Sequence, residues 1–221
     1  MKRSLPFHSM RQADTTERII DNIGHFRIIQ SKKGCRFSEA PFLLADFSLP
    51  ITEDDTVLDI GTGSGIIPLI IAYRTPARNI VGVEIQEGIA RLAIENVRVN
   101  SLSERVRILH HDYRALKDIF GKGEFSVILS NPPHIPVNYG RIAPYIERAV
   151  SRQEIFGTLR ELVHVSGCLL KPKGRIFYIY PVSRLDEVVS AIKDEGLKVR
   201  RCKLASLGKR SKLFLIEACK D

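Results

Sequence analysis

This 221-residue sequence has few cysteines and no long apolar run. Its four cysteines lie far apart and form no C-x-x-C pair, which argues against a clustered zinc site and against a disulfide scaffold. The longest apolar stretch, residues 66–73, is far too short to cross a bilayer. The basic first residues lack an apolar run of signal-peptide length. We therefore expect reduced thiols, no bound metal, no membrane association and a cytoplasmic location.

Acidic residues are also scarce relative to basic ones. The chain carries 34 Lys and Arg against 25 Asp and Glu, a formal net charge of +9. Such an excess favours a polyanionic partner, and nucleic acid is favoured over an anionic membrane. A basic surface that only keeps the protein soluble would have the same net charge. A hydrophobic content of 44% excludes wholesale disorder. The length fits one α/β domain of roughly 150 residues with a small extension.

From residue 56 onward, short β-branched runs alternate with helical patterns. The pattern predicts strands at 57–60, 80–84, 106–109, 125–129 and 175–180, and helices at 66–73, 87–99, 153–170 and after an N-cap at Ser183. Two last strands, 199–204 and 213–218, flank a short polar turn and are expected to be antiparallel. Right-handed crossovers make the rest of the sheet parallel, with helices on both faces. Ligands are then expected beyond the carboxyl ends of the strands.

The first 50 residues have a different pattern. Residues 26–37 are predicted to form a β-hairpin with its turn at 31–34. Ser38 is a suitable N-cap for a short helix that runs to residue 47. We therefore divide the chain into an N-terminal extension, residues 1–50, and a main domain, residues 51–221.

A glycine-rich turn follows the first strand of the main domain. The strand end and the turn together supply Asp59, Gly61, Gly63 and Gly65, and the glycines allow a ligand to approach backbone N–H groups at a helix N-terminus. The G-x-G-x-G spacing differs from the G-x-G-x-x-G of dinucleotide folds. Asp59 repels a pyrophosphate but attracts the amino and sulfonium groups of S-adenosylmethionine. We assign these four residues to a cofactor site; a tight turn without a ligand is the alternative.

Acidic residues end the second strand and follow the third. Glu84 lies about twenty residues beyond the turn, the distance at which a carboxylate reaches ribose hydroxyls, and we assign it with Ile85 to the cofactor. Asp112 and Tyr113 follow the third strand, where they can meet an adenine ring. Each acid also has a plainer interpretation, Glu84 as a solvated strand end and Asp112 as a helix cap.

The segment Asn131-Pro132-Pro133-His134 follows the fourth strand and is the most specific chemical signal in the chain. Its prolines restrict φ and remove N–H donors, so the Asn131 side-chain oxygen and the Pro132 carbonyl form a rigid pair of acceptors. Such a pair suits a planar NH2 group, because accepting both N–H bonds localises the nitrogen lone pair for attack on a methyl sulfonium. The ring of His134 is suited to stacking on a base. We assign Asn131, Pro132 and His134 to catalysis, with Asn131 also at the cofactor; a proline-rich loop is the alternative.

Together these motifs resemble class I S-adenosylmethionine-dependent methyltransferases with an N-P-P-aromatic motif. Four further segments are similar to bacterial tRNA1(Val) adenine N6-methyltransferases: residues 26–47, 140–154, 169–175 and 212–218. The resemblance implies a Rossmann-like fold with a mostly parallel seven-stranded sheet and an antiparallel C-terminal hairpin. It implies S-adenosylmethionine as cofactor, tRNA as partner, and methyl transfer to N6 of an adenine near the anticodon. It also implies substrate contacts from Phe37, Ser38, Pro133, His134 and Arg141.

The sequence departs from this family pattern at two positions. His134 stands where the family has Tyr or Phe, which weakens stacking and adds a titratable ring. Ala40 stands where the family has an acid, and Glu39 lies one position earlier. The role of this segment in closing over a substrate therefore stays open, as does the oligomeric state.

Other functions also stay open at this point. The acceptor pair equally suits guanine N2 of rRNA or the amide of a protein glutamine. A nicotinamide-dependent oxidoreductase is more distant, because the glycine spacing, Asp59 and the lack of an assigned hydride-transfer acid or base argue against it. A catalytically inactive RNA-binding module conflicts with the presence of Asp59, Glu84 and Asn131. RNA backbone contacts are expected from three basic clusters: Lys32, Lys33 and Arg36; Arg141, Arg148 and Arg152; Lys209, Arg210 and Lys212.

Overall fold

A computed structural model describes residues 17–32, 37–133, 157–207 and 211–221. These ranges contain the strands β1 Arg18–Ile23, β2 Phe26–Ser31, β3 Thr56–Ile60, β4 Asn79–Glu84, β5 Val106–His110, β6 Phe125–Ser130, β7 Leu170–Pro181, β8 Lys198–Leu207 and β9 Ser211–Cys219. They contain the helices α1 Ala40–Phe47, α2 Ile66–Arg74, α3 Glu87–Val99, α4 Leu159–Leu169 and α5 Leu185–Asp194. Short 3-10 helices cover Tyr113–Asp118 and Val182–Arg184.

Seven of the strands form one sheet in the order β5-β4-β3-β6-β7-β9-β8. The pairs β3–β4, β3–β6, β4–β5 and β6–β7 are parallel, whereas β9 is antiparallel to both β7 and β8. This order confirms the predicted mostly parallel sheet with an antiparallel C-terminal hairpin. The chain leaves β3 toward β4 and later returns to its other side as β6, so the ligand crevice of this fold lies at the carboxyl end of β3.

Helices cover both faces of the sheet. On one face, α1, α2 and α3 pack together with β2 around Leu44, Leu69 and Val97. On the other face, α4 and α5 pack around Val163 and Ile192. The central strands are buried from both sides, which accounts for their continuous apolar runs. Every helix in the described ranges is too short or too polar to cross a membrane.

The N-terminal hairpin lies earlier than the sequence predicts. β2 is one of the predicted strands, and in the described residues it pairs with β1, which precedes it. Residues 35 and 36 of the predicted second strand are not among those described. The turn contains Gly24, whose φ of +56° suits a tight reversal. The sequence did not predict β1, because burial along this strand does not follow residue polarity: Ile20 is 61% exposed, whereas Asp21 lies on the partly buried face. Residues 33–36 lie outside the described ranges.

Two helix starts also differ from the prediction. α4 begins at Leu159, whereas the sequence predicts this helix from residue 153; residues 153–156 are not among those described. Thr158 and Glu161 form a capping box at this start. Ser183 gives no side-chain cap to α5, because the chain first makes a 3-10 turn that contains it.

The strand β7 begins five residues before the predicted position 175. The sequence predicts a break at residues 171–174, which contain a proline and a glycine. In the structure this segment is an irregularity within the strand: pairing with β6 passes from Phe125–Leu170 to Val127–Arg175. Lys173 has a φ of +61° in this bulge. Pairing on both sides of the segment keeps it in the sheet despite its unfavourable local sequence.

Candidate active site

The glycine-rich turn joins β3 to α2 at the switch point of the sheet. The N–H groups of Gly61 and Thr62 both donate to the Val83 carbonyl at 2.9 Å, which ties the turn to β4. Gly61, Gly63 and Gly65 have φ values of +76°, +57° and +86°, which L side chains rarely adopt. A Cβ built on Gly61 or Gly63 meets no atom of the described residues within 4 Å. The turn therefore has open space beside the Cα atoms of Gly61 and Gly63, where a bound ligand can approach the backbone.

Glu84 ends β4 directly beside this turn. One carboxylate oxygen accepts a hydrogen bond from the Gly63 N–H at 3.0 Å, and the other accepts one from the Gln86 N–H at 2.9 Å. The residue is only 6% exposed, so it is not the solvated strand end of the plainer interpretation. Burial raises its pKa, and the backbone hydrogen bonds oppose that rise. Each oxygen keeps further lone pairs, so this fixed carboxylate can still accept bonds from hydroxyl groups.

Asp59 lies within β3, two residues before the turn, and its side chain is fully buried. Neither of its carboxylate oxygens has a hydrogen-bond partner in the described part of the chain. Burial raises the pKa of Asp59 to about 7; the nearby Thr62 hydroxyl lowers it, and the charge of Glu84 raises it further. An ionised carboxylate without a partner is costly to bury. These residues therefore fit a cofactor with positive charge, such as S-adenosylmethionine with its ammonium and sulfonium groups.

Asp112 is a helix cap in the structure. It precedes the 3-10 helix Tyr113–Asp118 and accepts a hydrogen bond from the Arg114 N–H at 2.9 Å. The Arg114 guanidinium also binds this carboxylate, and its hydrogen bond holds the pKa of Asp112 below the ordinary value. Because His110 pairs with Glu84, Asp112 leaves the sheet at the same edge as the glycine turn. Contact of Asp112 or Tyr113 with an adenine ring stays a prediction.

Asn131, Pro132 and Pro133 follow β6, which pairs with β3 on the side opposite β4. The buried Ser130 hydroxyl donates to the Ile60 carbonyl at 2.7 Å and joins the ends of these two strands. Leu129 is in register with Asp59, so Asn131 and Gly61 leave neighbouring strands side by side. The topology thus brings together the predicted cofactor turn and the predicted acceptor pair. His134 and Arg141 are outside the described residues.

Phe37 and Ser38 precede α1. The Phe37 ring packs against Phe42 with the ring centroids 6.0 Å apart, and its N–H donates to Gln30 Oε1 at 3.1 Å. The Ser38 hydroxyl accepts a hydrogen bond from the Ala40 N–H at 3.2 Å, although the residue directly before the helix is Glu39. The contact between Phe37 and Gln30 joins this segment to the N-terminal hairpin.

Contacts with β7 locate the C-terminal end of α1 relative to the sheet. At the C-terminal end of α1, the Arg175 guanidinium donates to the carbonyls of Ser48 and Pro50. Arg175 pairs with Val127, near the amino end of β6. The C-terminal end of α1 therefore lies at the amino ends of the parallel strands, and contact of Phe37 or Ser38 with a substrate stays a prediction.

Sequence reasoning missed Asn96, a fully buried residue of α3. Its amide N–H groups donate to the carbonyls of Ile29 and Ser64, each at 2.9 Å, and its oxygen accepts from the Ile29 N–H at 2.6 Å. Ser64 lies in the glycine turn. The available signal was spacing: Asn96 falls on the apolar face of α3, four residues after Leu92 and three after Ala93. A polar side chain on a buried face requires partners, and here one of them is the turn.

A parallel sheet of this order, with its crevice beside a G-x-G-x-G turn, defines a nucleotide-binding α/β enzyme. The two acids at the turn favour a cationic nucleoside over a pyrophosphate. The class is therefore that of the S-adenosylmethionine-dependent methyltransferases. Within that class, the chain belongs to the methyltransferase small domain family, whose profile matches residues 38–181. The chain is thus an enzyme of methyl transfer, and its cofactor is S-adenosylmethionine.

Comparison with known proteins gives relatives of a narrower kind. The chain is 28% identical over 194 residues to the tRNA1(Val) (adenine(37)-N6)-methyltransferase of Tolumonas auensis, which covers 86% of this chain and 79% of the relative. It is 35% identical over 133 residues to the protein of the same name from Porphyromonas gingivalis, which covers 59% of this chain and 51% of that relative. The chain thus spans about half the length of the second relative.

A solved structure shows the same fold. It is the geranyl diphosphate C-methyltransferase of Streptomyces coelicolor in complex with Mg2+, geranyl diphosphate and S-adenosyl-L-homocysteine. The TM-score is 0.62 at 17% identity, with 82% of this chain and 78% of that chain covered. At this identity, the likeness concerns the fold and not the substrate.

Proposed function

We propose that this methyltransferase modifies N6 of an adenine in tRNA, the adenine at position 37 that appears in the names of its relatives. The observation that carries this proposal is the position of Asn131 and Pro132 beside the glycine turn, joined through the bond from Ser130 to Ile60. The names of two relatives and the net charge of +9 support tRNA over a protein substrate.

In this proposal the edge of β3 and β4 holds the cofactor. The backbone of Gly61, Gly63 and Gly65 borders it, and the fixed Glu84 carboxylate accepts bonds from its ribose, with Ile85 alongside. Asp59 contributes negative charge opposite the cationic groups. Asp112 and Tyr113 lie beside the adenine. When bound, S-adenosylmethionine supplies an electrophilic methyl group on a sulfonium.

The acceptor pair orients the target amine. The Asn131 side-chain oxygen and the Pro132 carbonyl accept the two N–H bonds of the exocyclic amine and localise its lone pair toward the methyl group. After the nitrogen gains the methyl group, the same oxygens hold the proton that it must lose to the solvent. The base has to leave its loop to reach this edge. Phe37, Ser38, Pro133, His134 and Arg141 are proposed to contact the base and the adjoining RNA.

The same proposal extends to location and organisation. Methyl transfer of this kind needs positioning and electrostatics only, so we infer that it proceeds without a metal. We place the enzyme in the cytoplasm, where its tRNA substrate lies. We also retain the division at residue 50, with residues 1–50 as an extension on the substrate side.

The identity of the methylated product tests the function directly. Purified protein is incubated with methyl-labelled S-adenosylmethionine and either unmodified tRNA or a protein lysate, and the products are digested to nucleosides and amino acids. We expect the label in N6-methyladenosine from tRNA. Label in N2-methylguanosine or in methylglutamine would contradict the substrate assignment.

The role of Asn131 is tested with one variant and a matched control. Asn131→Ala removes one of the two acceptors and is expected to abolish turnover while the Kd for the cofactor, measured by calorimetry, stays within about twofold of the original. Asn22→Ala, at an exposed position of β1, is the control and should leave turnover unchanged. Loss of cofactor binding in Asn131→Ala would show that Asn131 supports the structure of the site rather than the target amine.

A further inference from the structure

Asn96 of α3 and Asn100, the residue that directly follows α3, bind the backbone of β2 as a neighbouring strand would. Asn96 accepts from the N–H of Ile29 at 2.6 Å and donates to its carbonyl at 2.9 Å. Asn100 accepts from the N–H of Arg27 at 2.9 Å and donates to its carbonyl at 2.7 Å. The spacings match because four helical residues rise about 6 Å and two strand residues rise about 6.6 Å. We call these four residues the amide ladder.

Each asparagine makes one further contact, and these contacts differ: the Asn100 amide donates to the Asn96 carbonyl at 2.7 Å, whereas that of Asn96 reaches the glycine turn. The Asn96 amide donates there to the carbonyl of Ser64, between Gly63 and Gly65, at 2.9 Å. Asn96 is fully buried, whereas Asn100 is partly exposed. Both N–H groups and the oxygen of Asn96 are therefore engaged, with two bonds to the hairpin and one to the glycine turn.

Side chains of neighbouring elements hold the turn at two successive residues, Gly63 and Ser64. Glu84 accepts from the Gly63 N–H at 3.0 Å, and Asn96 donates to the Ser64 carbonyl. Helix α3 also touches the turn one helical turn earlier, since a Cβ built on Gly65 lies 3.3 Å from the Ala93 Cβ. Glycine-rich backbone has many conformations available, and ordering it on ligand binding reduces affinity. A contact that orders the turn beforehand removes that cost.

We propose that Asn96 is a positioning residue of the cofactor site. Its amide holds the Ser64 carbonyl, and with it the turn, in the conformation that receives the cofactor, and it joins the turn to the N-terminal hairpin. This inference rests on the proposed role of the glycine turn in cofactor binding. It does not depend on which nucleoside is methylated.

The test compares equal substitutions on the amide ladder. Asn96→Asp keeps the acceptor toward Ile29 and loses the donors to Ile29 and Ser64. Asn100→Asp likewise keeps one acceptor and loses two donors, to the carbonyls of Arg27 and Asn96, and neither of these lies in the turn. The Kd for S-adenosylhomocysteine is measured by calorimetry without RNA. We expect Asn96→Asp to weaken binding about tenfold and Asn100→Asp to change it less than about twofold. Both variants should lower the Tm.

Equal weakening in both variants would overturn the proposal, because the effect would then come from a loosened hairpin. Unchanged binding in a folded Asn96→Asp would also overturn it. If Asn96→Asp does not fold, Asn96→Ser replaces it with the same expectations. Hydrogen exchange of the amides at residues 61–65 adds a local readout, and it should accelerate in the Asn96 variant and not in Asn100→Asp. Failure of S-adenosylhomocysteine to bind the unmodified protein would instead contradict the cofactor site itself.

Discussion

At the scale of single residues, two glycines with nearly the same φ allow the cost of backbone strain to be measured apart from the effect on cofactor binding. Gly63 in the glycine-rich turn has a φ of +57°, and Gly24 in the β1–β2 turn has a φ of +56°. A Cβ at either position meets no described atom within 4 Å. Alanine therefore causes similar strain at both sites, of about 1–2 kcal/mol. Only at Gly63 does the added methyl group enter the proposed cofactor site.

We expect Gly63→Ala and Gly24→Ala to lower the free energy of unfolding by similar amounts, about 1–2 kcal/mol in urea titrations. Gly63→Ala should also weaken S-adenosylmethionine binding more than about tenfold, because its methyl group occupies space at the turn. Gly24→Ala should leave that Kd unchanged. Equal affinities for the two variants would show that the cofactor does not lie against Gly63.

We expect cofactor binding to depend on pH through the proposed contact with Asp59. Its pKa of about 7 means that a proton neutralises the carboxylate as the pH falls through neutrality. A cationic cofactor prefers the ionised form, so affinity should fall between about pH 8 and about pH 6. Calorimetry on Asp59→Asn provides the control, since any pH dependence that arises from the ligand persists in that variant. Identical profiles for the two proteins would contradict a role for the Asp59 charge.

The raised pKa of Asp59 also makes the stability of the cofactor-free protein depend on pH, in the direction opposite to that of cofactor affinity. Above its ordinary pKa of 3.8, the unfolded state releases a proton that the native state keeps up to about pH 7. The Asp59 contribution to stability is therefore lost progressively as the pH rises from 3.8 to about 7, and it levels off above that. The free energy of unfolding of Asp59→Asn relative to the original protein should rise across this window. A constant difference would mean that Asp59 has its ordinary pKa in the native state.

At the scale of elements, the helix starts show which local signals the fold uses. Thr158 accepts from the Glu161 N–H at 3.3 Å, and Glu161 accepts from the Thr158 N–H at 2.8 Å, which completes a capping box for α4. Ser183 is an equally suitable cap by residue type, but it lies inside a 3-10 turn and caps no helix. Local sequence favours both sites, and only one becomes a cap.

Thr158→Ala is expected to lower the free energy of unfolding by about 1 kcal/mol, because it leaves an N–H group of α4 without its acceptor. Ser183→Ala, at an exposed position without a cap, should change it by less than about 0.5 kcal/mol. Chemical denaturation of the two variants measures the contrast. A larger loss in Ser183→Ala would mean that its hydroxyl does cap α5 in solution.

At the scale of the whole molecule, the N-terminal elements share a core with the main domain. Phe26 and Ile28 of β2 and Leu44 of α1 lie in one buried cluster with Leu69 of α2 and Val127 of β6. An extension that buries its apolar side chains against the main domain is expected to unfold with it. The predicted boundary at residue 50 then separates two proposed functional parts of the chain, but not two parts that unfold independently.

Leu44→Ala tests this shared core. The substitution should lower the free energy of unfolding by about 2–5 kcal/mol and shift one single transition, followed by far-UV circular dichroism and by tyrosine absorbance, since the chain has no tryptophan. Ile20→Ala, at an exposed position of β1, should have little effect. Two separate transitions would indicate that residues 1–50 fold independently.

Much of the fold was predictable from local pattern, but part of the site was not. The continuous apolar runs at β3, β4 and β6 and the glycines after β3 mark strands and a turn because backbone preference and two-sided burial act within a few residues. The sequence did not predict the strand β1, because its apolar Ile20 faces solvent and its charged Asp21 lies on the partly buried face. From the sequence, Asp112 suits either a contact with an adenine ring or a helix cap. The hydrogen bond from the Arg114 N–H shows that it is a helix cap.

The sequence by itself determined the class of fold, the glycine turn, the acids near it and the Asn-Pro-Pro segment, because each depends on residues close together in the chain. Only the tertiary structure decided that Asn131 leaves the sheet beside Gly61 and that Asn96 joins the hairpin to the turn. It also decided that Asp59 is buried with no hydrogen-bond partner among the described residues. These depend on contacts between distant residues: Asn96 and Ile29 are 67 positions apart. Burial and hydrogen-bond partners are properties of the packed molecule, so no local pattern contains them.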